Sequence, residues 1–254
     1  MKSKGNSFFS DIKVLIQNCQ GYEGKKEYNK RLIEKIKPTL VTWSELKLKE
    51  SDAMCIQDEH RGYNSISQTP DMGIRDLKTR LEWRPTNGVA AMYEESWGEK
   101  VEKVKILKRS VAITFKINKL RLMYFGSYLP TNHHNDEGYK AALSEIEKEI
   151  SGARAKYKKN FSYIIGGDLN IDQRHTEKRK ATFLKFLTMI DGYHWIPQYP
   201  SFEHKHWKTK SYLDGVVISG NIAVVEIRNV TELEVEGNNS DHQPVLYTLR
   251  INTK

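Results

Sequence analysis

The 254-residue chain lacks features that would assign it to several common classes of protein. It has no apolar run of about 18 residues, the minimum for a membrane-spanning helix. The short apolar stretch near its N-terminus is interrupted by Asp11 and Lys13, so it is a poor secretory signal. We find no internal repeat, no low-complexity segment and no linker rich in proline, glycine and serine. These absences predict one globular domain, residues 1–254, that is not a membrane protein.

Cysteine is scarce as well, with only Cys19 and Cys55 in the chain. Neither residue belongs to a CxxC motif, and one lies in an apparent core strand. The sequence therefore contains no disulfide scaffold, which favours an intracellular, reducing compartment.

Basic residues are abundant. Lysine and arginine number 41 against 32 aspartates and glutamates, so the formal net charge is +9. The sequence pI is about 9.3 and the mean hydropathy is −0.65. Such a charge favours a polyanionic partner, with nucleic acid ahead of a membrane surface. A solvated basic surface without such a partner is the alternative.

Apolar segments of strand length alternate with helical patterns along the whole chain. The opening is βαβ-like, with a strand at Ile12–Asn18, a helix at Tyr28–Lys37 and a strand at Thr39–Glu45. The polar block Ser51–Asn87 is predicted to be a long surface excursion. Further helices are predicted at Tyr139–Ile150 and Arg179–Ile190, and further strands at Gly88–Tyr93, Ser110–Ile117, Arg121–Ser127, Phe161–Ile165, around Trp195, Tyr212–Ser219, Ala223–Val235 and Pro244–Ile251. These elements predict an α/β fold of two stacked sheets with helices outside them.

The segment Phe161–Asp172, FSYIIGGDLNID, combines an apolar strand with two glycines and polar residues. If the strand stays extended, Asp168 and Asn170 point to the same side. A carboxylate beside a carboxamide can orient a water and take its proton, or hold a hard cation. A turn in which both side chains bond only to local backbone is the alternative.

Four other segments place polar groups at the ends of apolar strands. Asn18 closes the first strand, Glu45 the second, and Asp214 lies in SYLDGVVIS with Val216 and Ile218 on its face. Asp241 and His242 precede the last strand. Since burying a lone carboxylate is costly without a partner or a metal, we expect these groups to converge on one cleft.

The order of these motifs resembles that of the endonuclease/exonuclease/phosphatase superfamily, whose fold is a DNase I-like four-layer α/β sandwich. The resemblance spans residues 12 to 250, and GDLN followed by SDH is its most specific part. The segments that carry it are Asn18, Glu45, Tyr128–Pro130, Gly167–Asn170, Leu213–Asp214 and Ser240–His242.

The resemblance implies roles for these residues in phosphodiester hydrolysis. Glu45 would bind Mg²⁺, with Mn²⁺ as a substitute, and Asn18 and Asp241 would complete that site. Asp168 would orient or deprotonate the attacking water, and Asn170 would hold the water or the phosphate. His242, oriented by Asp214, and Tyr128 would contact the phosphate.

Three positions depart from the pattern of the superfamily. Gln20 stands where many relatives carry aspartate or asparagine, which puts a second metal ligand there in doubt. Ser44 precedes Glu45 where glutamine is commoner, and Thr131 stands where AP endonucleases usually have asparagine.

The Tyr-Leu-Pro segment and the length of the chain resemble the endonuclease domains of non-LTR (LINE-type) retrotransposons. That resemblance implies a nuclear enzyme that nicks duplex DNA at a target site, as a separate chain or within a larger reverse-transcriptase polyprotein. A repair AP endonuclease and a non-catalytic nucleic-acid-binding relative are the alternatives.

Two basic segments are predicted to contact DNA. In the excursion these residues are Arg75, Lys78, Arg80 and Arg84. In the segment Ser201–Tyr212 they are Lys205, Trp207, Lys208 and Lys210. A hairpin beside the catalytic strand could read groove shape or wedge a base step. A solvated basic turn is the alternative, and a zinc pair of His204 and His206 is a weaker one.

Overall fold

The structure is a computed structural model, which describes residues 9–69, 87–131, 136–172, 177–204 and 206–253. The first sheet has six strands in the order β13-β14-β1-β2-β4-β3. Their bounds are β1 Phe9–Asn18, β2 Leu40–Ser44, β3 Tyr63–Gln68, β4 Val89–Glu94, β13 Ile222–Asn229 and β14 Val245–Asn252. Strands β1 and β2 are parallel and joined by the helix α1, Lys26–Ile36, so the predicted βαβ opening is confirmed.

The second sheet also has six strands, in the order β5-β6-β7-β8-β12-β9. Their bounds are β5 Val101–Ile106, β6 Ser110–Ile117, β7 Leu120–Tyr128, β8 Phe161–Asp168, β9 Gly192–Trp195 and β12 Asp214–Ser219. A short separate hairpin is formed by β10, Phe202–Glu203, and β11, Lys210–Ser211. The remaining helices are α2 Cys55–Glu59, α3 Asp136–Tyr157 and α4 Glu177–Ile190.

The helices and the two sheets form four layers, and three apolar cores lie between these layers. The central core lies between the sheets and includes Ile16 from β1 and Ile164 from β8. On the outer face of the first sheet, Leu32 and Ile33 of α1 pack on Trp43. On the outer face of the second sheet, α3 and α4 cover β7 and β8. The predicted four-layer α/β sandwich is therefore confirmed, and within the described ranges no helix is long and apolar enough to span a membrane.

Some predicted boundaries are wrong. The block Ser51–Asn87 contains α2 and the strand β3 in its described part, because β3 is an edge strand with half-buried polar residues that carry no apolar alternation. Strand β5 was not predicted for the same reason, since its residues are mostly exposed. Strand β13 ends at Asn229, not at Val235, because residues 231–235 form a turn closed by the bond from the Glu234 N–H to the Thr231 carbonyl.

Candidate active site

The predicted catalytic side chains meet where strands of both sheets end. Strand β1 ends at Asn18 and β8 ends at Asp168. The Asn18 Nδ2 donates a hydrogen bond of 2.8 Å to Oδ2 of Asp168, which joins the two sheets across the core. Tyr128, at the end of β7, is the register partner of Asp168 on β8. The convergence expected from the sequence is thus present for Asn18 and Asp168, and Tyr128 lies beside them.

Asp168 is buried and accepts hydrogen bonds on both carboxylate oxygens. Oδ2 accepts from Asn18, and Oδ1 accepts from the backbone N–H of Asn170 at 3.0 Å. Burial, followed by the nearby Asp214 carboxylate, raises the pKa of Asp168 above its ordinary value. Such a carboxylate is a better proton acceptor than an exposed aspartate, which suits a general base.

The backbone at residue 167, directly before Asp168, can be occupied only by a glycine such as Gly167. Its φ is +152°, and a Cβ built on it would lie 1.9 Å from the carbonyl oxygen of Ser127 on the neighbouring strand. Any side chain here would push β7 and β8 apart. The glycine therefore keeps Tyr128 and Asp168 side by side at the ends of the two strands.

Asp214 and His242 form a buried pair. The His242 Nδ1 lies 2.6 Å from Oδ2 of Asp214, and the histidine is 4% exposed. Burial alone would lower the pKa of His242, but the Asp214 carboxylate raises it to about 9. The imidazole is therefore cationic at neutral pH, with Nδ1–H directed at Asp214 and Nε2–H available as a donor.

Asn170 takes its position from a turn and not from strand alternation, so that part of the prediction is wrong. Strand β8 ends at Asp168, and Asn170 has a left-handed φ of 48°. Its Nδ2 donates to the Leu129 carbonyl at 2.7 Å, which ties the segment to the end of β7. Leu169 and Ile171 are buried as predicted.

The Tyr128 hydroxyl lies within electrostatic range of three carboxylates. Burial is the first cause that raises its pKa far above the ordinary value, and Asp168, Glu45 and Asp214 add to it. The phenol is therefore protonated and can only donate or accept as a neutral group. Arg109, whose carbonyl accepts the Tyr128 backbone N–H, acts on the same phenol in the opposite direction. Sequence reasoning did not single out Arg109.

The predicted metal ligands have different surroundings. Asn18 bonds to Asp168, and Asp241 Oδ1 is 3.9 Å from His242 Nε2. Glu45 is 21% exposed in its side chain, with Oε1 3.3 Å from Lys47 Nζ, and it acts electrostatically on the Tyr128 phenol. Among the described residues, the carboxylates and imidazole that cluster within 4.8 Å are Asp168, Asp214 and His242.

The donor set fits a hard divalent cation. Within the described part of the chain, Oδ1 of Asp214 and Oδ1 of Asp241 are buried and have no hydrogen-bond partner. Carboxylate and amide oxygens are what Mg²⁺ and Mn²⁺ bind. Buried anionic oxygens without donors are costly unless a cation or water satisfies them, so this end of the sandwich suits a metal.

A buried arginine that sequence reasoning missed supports the loop after β7 and the loop after β8. Arg179, at the start of α4, is 3% exposed. Its guanidinium donates to the carbonyls of Pro130 at 2.9 Å, Asn170 at 3.2 Å and Thr131 at 3.1 Å. It also stacks over the Tyr139 ring. One side chain thus connects the loop after Tyr128 to the loop after Asp168.

The β10–β11 hairpin borders the site, as predicted from the sequence. Its residue Phe202 pairs with His242 through an isolated bridge, and the two rings lie 4.9 Å apart. The backbone N–H of Glu203 donates to the carbonyl of Asp241 at 2.9 Å. The hairpin is therefore in direct contact with His242 and Asp241.

The structure describes three of the residues predicted to contact DNA, Trp207, Lys208 and Lys210. Trp207 is 77% exposed and stacks on His204 with centroids 4.4 Å apart. Lys208 and Lys210 are exposed, and both lie near Glu203, at 3.8 and 3.3 Å. Residues outside the described ranges are Arg75, Lys78, Arg80, Arg84 and Lys205.

The zinc alternative for His204 and His206 finds no support. The His204 Nδ1 accepts the backbone N–H groups of His206 and Trp207 at 3.3 and 3.2 Å, so that nitrogen is occupied. His204 thereby holds the hairpin tip and the indole in place.

Comparison with known proteins identifies the class of fold. No protein-family model matches the chain, and no curated protein matches it significantly. Solved structures do match over nearly the whole chain. The AP endonuclease LMAP from Leishmania major is 14% identical with a TM-score of 0.71, covering 94% of this chain and 88% of that chain.

Two further solved structures have the same fold. The 3'-5' exonuclease NExo from Neisseria meningitidis is 14% identical with a TM-score of 0.67, covering 93% of this chain and 98% of its own. A mannosyl-6-phosphatase from Bacteroides thetaiotaomicron is 14% identical with a TM-score of 0.66, covering 94% and 99%. The chain therefore has the DNase I-like fold of these nucleases and phosphatases.

Proposed function

We propose that this protein is a divalent-metal-dependent endonuclease that hydrolyses a phosphodiester bond and nicks duplex DNA. The observation that carries the proposal is the buried set of Asp168, Asp214 and His242 at the strand ends. A carboxylate of raised pKa beside a carboxylate-bound imidazolium is an arrangement for activating a nucleophile and stabilising an anion at once. The fold neighbours and the net charge of +9 support a phosphate-containing polyanion as substrate.

The residues of the chain divide the chemistry between them. Asp168, with both oxygens fixed by Asn18 and the Asn170 N–H, orients a water and takes its proton. His242 donates from Nε2 to a phosphate oxygen, while Asp214 holds its Nδ1–H and so its orientation. Tyr128, protonated, adds a neutral donor. The negative charge that develops on the phosphate is thus met by donors already in place.

The implied cation is Mg²⁺, or Mn²⁺ in its place. Glu45, Asn18 and Asp241 are the residues that would hold it, with the partnerless Oδ1 of Asp241 as the best-supported ligand. When bound, such a cation supplies Lewis-acid stabilisation of the charged phosphate.

The DNA would be held by the hairpin beside His242 and by the basic residues of the excursion. Lys208 and Lys210 share Glu203, so each contributes less than a full free charge to phosphate binding. The excursion would supply Arg75, Lys78, Arg80 and Arg84, and the hairpin would add Lys205. Counterion release would make this part of the affinity depend on salt and not on sequence.

The cellular role that we propose is target-site nicking for a non-LTR retrotransposon in the nucleus, with the domain as a separate chain or as part of a reverse-transcriptase polyprotein. It rests on the Tyr128–Pro130 segment and the chain length. Repair of abasic sites is the second candidate, because the AP endonuclease from Leishmania major shares the fold. A monoester phosphatase is a third, because the mannosyl-6-phosphatase also shares it.

One set of reactions tests these assignments. Supercoiled plasmid is incubated with the protein in Mg²⁺, in Mn²⁺ and in EDTA, with His242→Gln as the matched inactive control. We expect nicked circles with either metal and none with EDTA or the variant. A duplex with one abasic site, its intact twin and a sugar phosphate then separate the candidates. Nicking only of the abasic duplex would assign repair, and release of phosphate without nicking would replace the endonuclease proposal.

A further inference from the structure

Ser201 occupies a position between the two halves of the catalytic pair. It is 1% exposed and directly precedes Phe202, the first residue of β10. Its Oγ accepts the backbone N–H groups of Leu213 at 3.2 Å and Asp214 at 3.1 Å. The hydroxyl therefore fixes the backbone at the start of β12, from which the Asp214 side chain extends.

The backbone of Ser201 reaches the other half of the pair. Its carbonyl accepts the N–H of Gln243 at 2.7 Å, one residue beyond His242. Immediately after Ser201, Phe202 bridges to His242 and packs its ring against the imidazole. One residue thus binds the chain at Asp214 with its side chain and the chain beside His242 with its main chain.

The contacts of the Ser201 hydroxyl and of its carbonyl both affect the distance between the Asp214 and His242 side chains. The Asp214 Oδ2 and His242 Nδ1 are 2.6 Å apart, although Asp214 begins β12 in the second sheet and His242 lies in the segment before β14 of the first sheet. In the described ranges, no strand pairing connects β12 to β14, and none connects the two six-stranded sheets. Something outside the strand ladders must therefore set this separation.

We propose that Ser201 is a positioning residue that sets the separation of Asp214 and His242. Its hydrogen bonds go to the backbone N–H groups of Leu213, Asp214 and Gln243, so it would act only through the pair. Its effect on turnover rests on the function proposed above, whereas its effect on the hydrogen bond does not. A displacement of about 1 Å in such a pair is enough to lower turnover about 100-fold.

The chain offers a matched control on the same strand. Ser219 ends β12, is also buried, and its Oγ accepts the Tyr163 backbone N–H at 3.2 Å. Ser201→Ala and Ser219→Ala therefore remove the same atom, and each leaves backbone N–H without its acceptor. Ser219→Ala also removes a bond of 2.7 Å from its Oγ to Asn221 Oδ1. The first change is at the catalytic end of the strand and the second is at the opposite end.

The experiment compares Ser201→Ala, Ser201→Thr and Ser219→Ala with the parent. The Nδ1 proton shared by His242 and Asp214 is followed as a far-downfield proton resonance, assigned by its loss in Asp214→Asn. Steady-state kcat and KM for plasmid nicking and the thermal midpoint are measured on the same samples. If Ser201→Ala does not fold, Ser201→Cys, which keeps the size but accepts hydrogen bonds weakly, takes its place.

We expect Ser201→Ala to shift or broaden the resonance and to lower kcat about 10- to 100-fold with KM nearly unchanged. Ser201→Thr should restore both, because it keeps the hydroxyl. Ser219→Ala should lose thermal stability but keep the resonance and kcat. Equal effects of the two alanine variants on the resonance, or an unperturbed resonance in Ser201→Ala, would overturn the proposal. The parent protein could also prove unable to nick DNA while its resonance still changes in Ser201→Ala as expected. That result would uphold the positioning role and refute the proposed function.

Discussion

Asp168 and Asp214 are direct register partners on β8 and β12, so two buried carboxylates face the same side of the sheet. Directly opposed like charges are destabilising, and here His242 lies within 4.8 Å of both. Its imidazolium compensates part of their charge. The raised pKa of Asp168 and the raised pKa of His242 are two consequences of this one arrangement.

The first prediction removes one charge from that arrangement. In Asp214→Asn, His242 loses the carboxylate that raises its pKa, so less of it is cationic at neutral pH and its ring is no longer oriented. We expect turnover to fall about 100-fold or more, the range of general acid–base groups. Single-turnover nicking at saturating protein measures the effect. The control is Asp191→Asn, at an exposed carboxylate after α4. Wild-type turnover in Asp214→Asn would make Asp214 a structural strand residue.

The second prediction concerns the metal. Glu45 has a left-handed φ of 56°, and its carboxylate pairs with Lys47. Because the Glu45 side chain is partly exposed, a cation from solvent can reach the carboxylate. Glu45→Gln should weaken Mn²⁺ binding, followed by paramagnetic resonance of the free ion, and raise the Mg²⁺ concentration that nicking requires. Glu50→Gln, at an exposed position, is the control. Full activity of the parent in excess chelator would contradict the metal role altogether.

The third prediction concerns the hairpin tip. The Trp207 indole is fixed on His204 and leaves its other face to solvent, so it can stack on a base at little entropic cost. Trp207→Ala should change where one plasmid is nicked while leaving the total rate within a few-fold. Sequencing of nick positions for the parent, Trp207→Ala and Trp207→Phe measures this. The phenylalanine variant keeps a ring and should keep most of the map. Identical maps for all three would show that the indole contacts no DNA.

The fourth prediction is a loss of stability on acidification. His60 is buried against Trp43, with its Nε2 2.7 Å from the Tyr22 hydroxyl. Burial lowers the pKa of His60 to about 4. In the unfolded chain, His60 has its ordinary pKa of about 6.5, so it binds the proton more readily there than in the folded chain. Stability from this group is complete above pH 6.5 and is lost as the pH falls toward 4.

Urea unfolding between pH 7 and pH 4 measures that loss. The shift of His60 corresponds to at most about 3 kcal/mol of unfolding free energy at the acidic end. His60→Gln cannot titrate and should flatten the dependence between pH 6.5 and 5. His206→Gln, at an exposed histidine, should leave it as in the parent. The same slope in the parent and in His60→Gln would mean that other groups cause the loss.

The sequence predicted the parts of the site that mark strand ends. Asp168, Asp214 and His242 were found because polar residues interrupt long apolar strands, where burial without a partner is costly. The position of Asn170 was predicted for the wrong reason, because nothing in GDLN distinguishes a continuing strand from a left-handed turn. Single supporting residues such as Ser201 and Arg179 carry no periodic signal. Their roles depend on carbonyls and N–H groups that come close only in the folded chain.

The last prediction tests one of those residues. The Arg179 guanidinium uses its fork of donors to bind three carbonyls at once, and its burial excludes competing water. Lysine keeps the charge but offers one compact ammonium, which cannot reach all three acceptors. Arg179→Lys should therefore lower the unfolding free energy by about 3 kcal/mol, as expected when buried carbonyls are left without their donors.

Because Arg179 links the loop after Tyr128 to the loop after Asp168, the same variant should also affect the site. Hydrogen exchange of residues 128–131 and 168–172 should become faster, and turnover should fall more than the fraction unfolded explains. The matched control is Arg31→Lys, since exposed Arg31 donates to one carbonyl, that of Glu236, at 3.1 Å. Unchanged exchange in both segments would show that Arg179 stabilises α4 alone. The two loops would then be held by their own bonds, chiefly those from Asn170 to Leu129 and from Leu129 to Asp168.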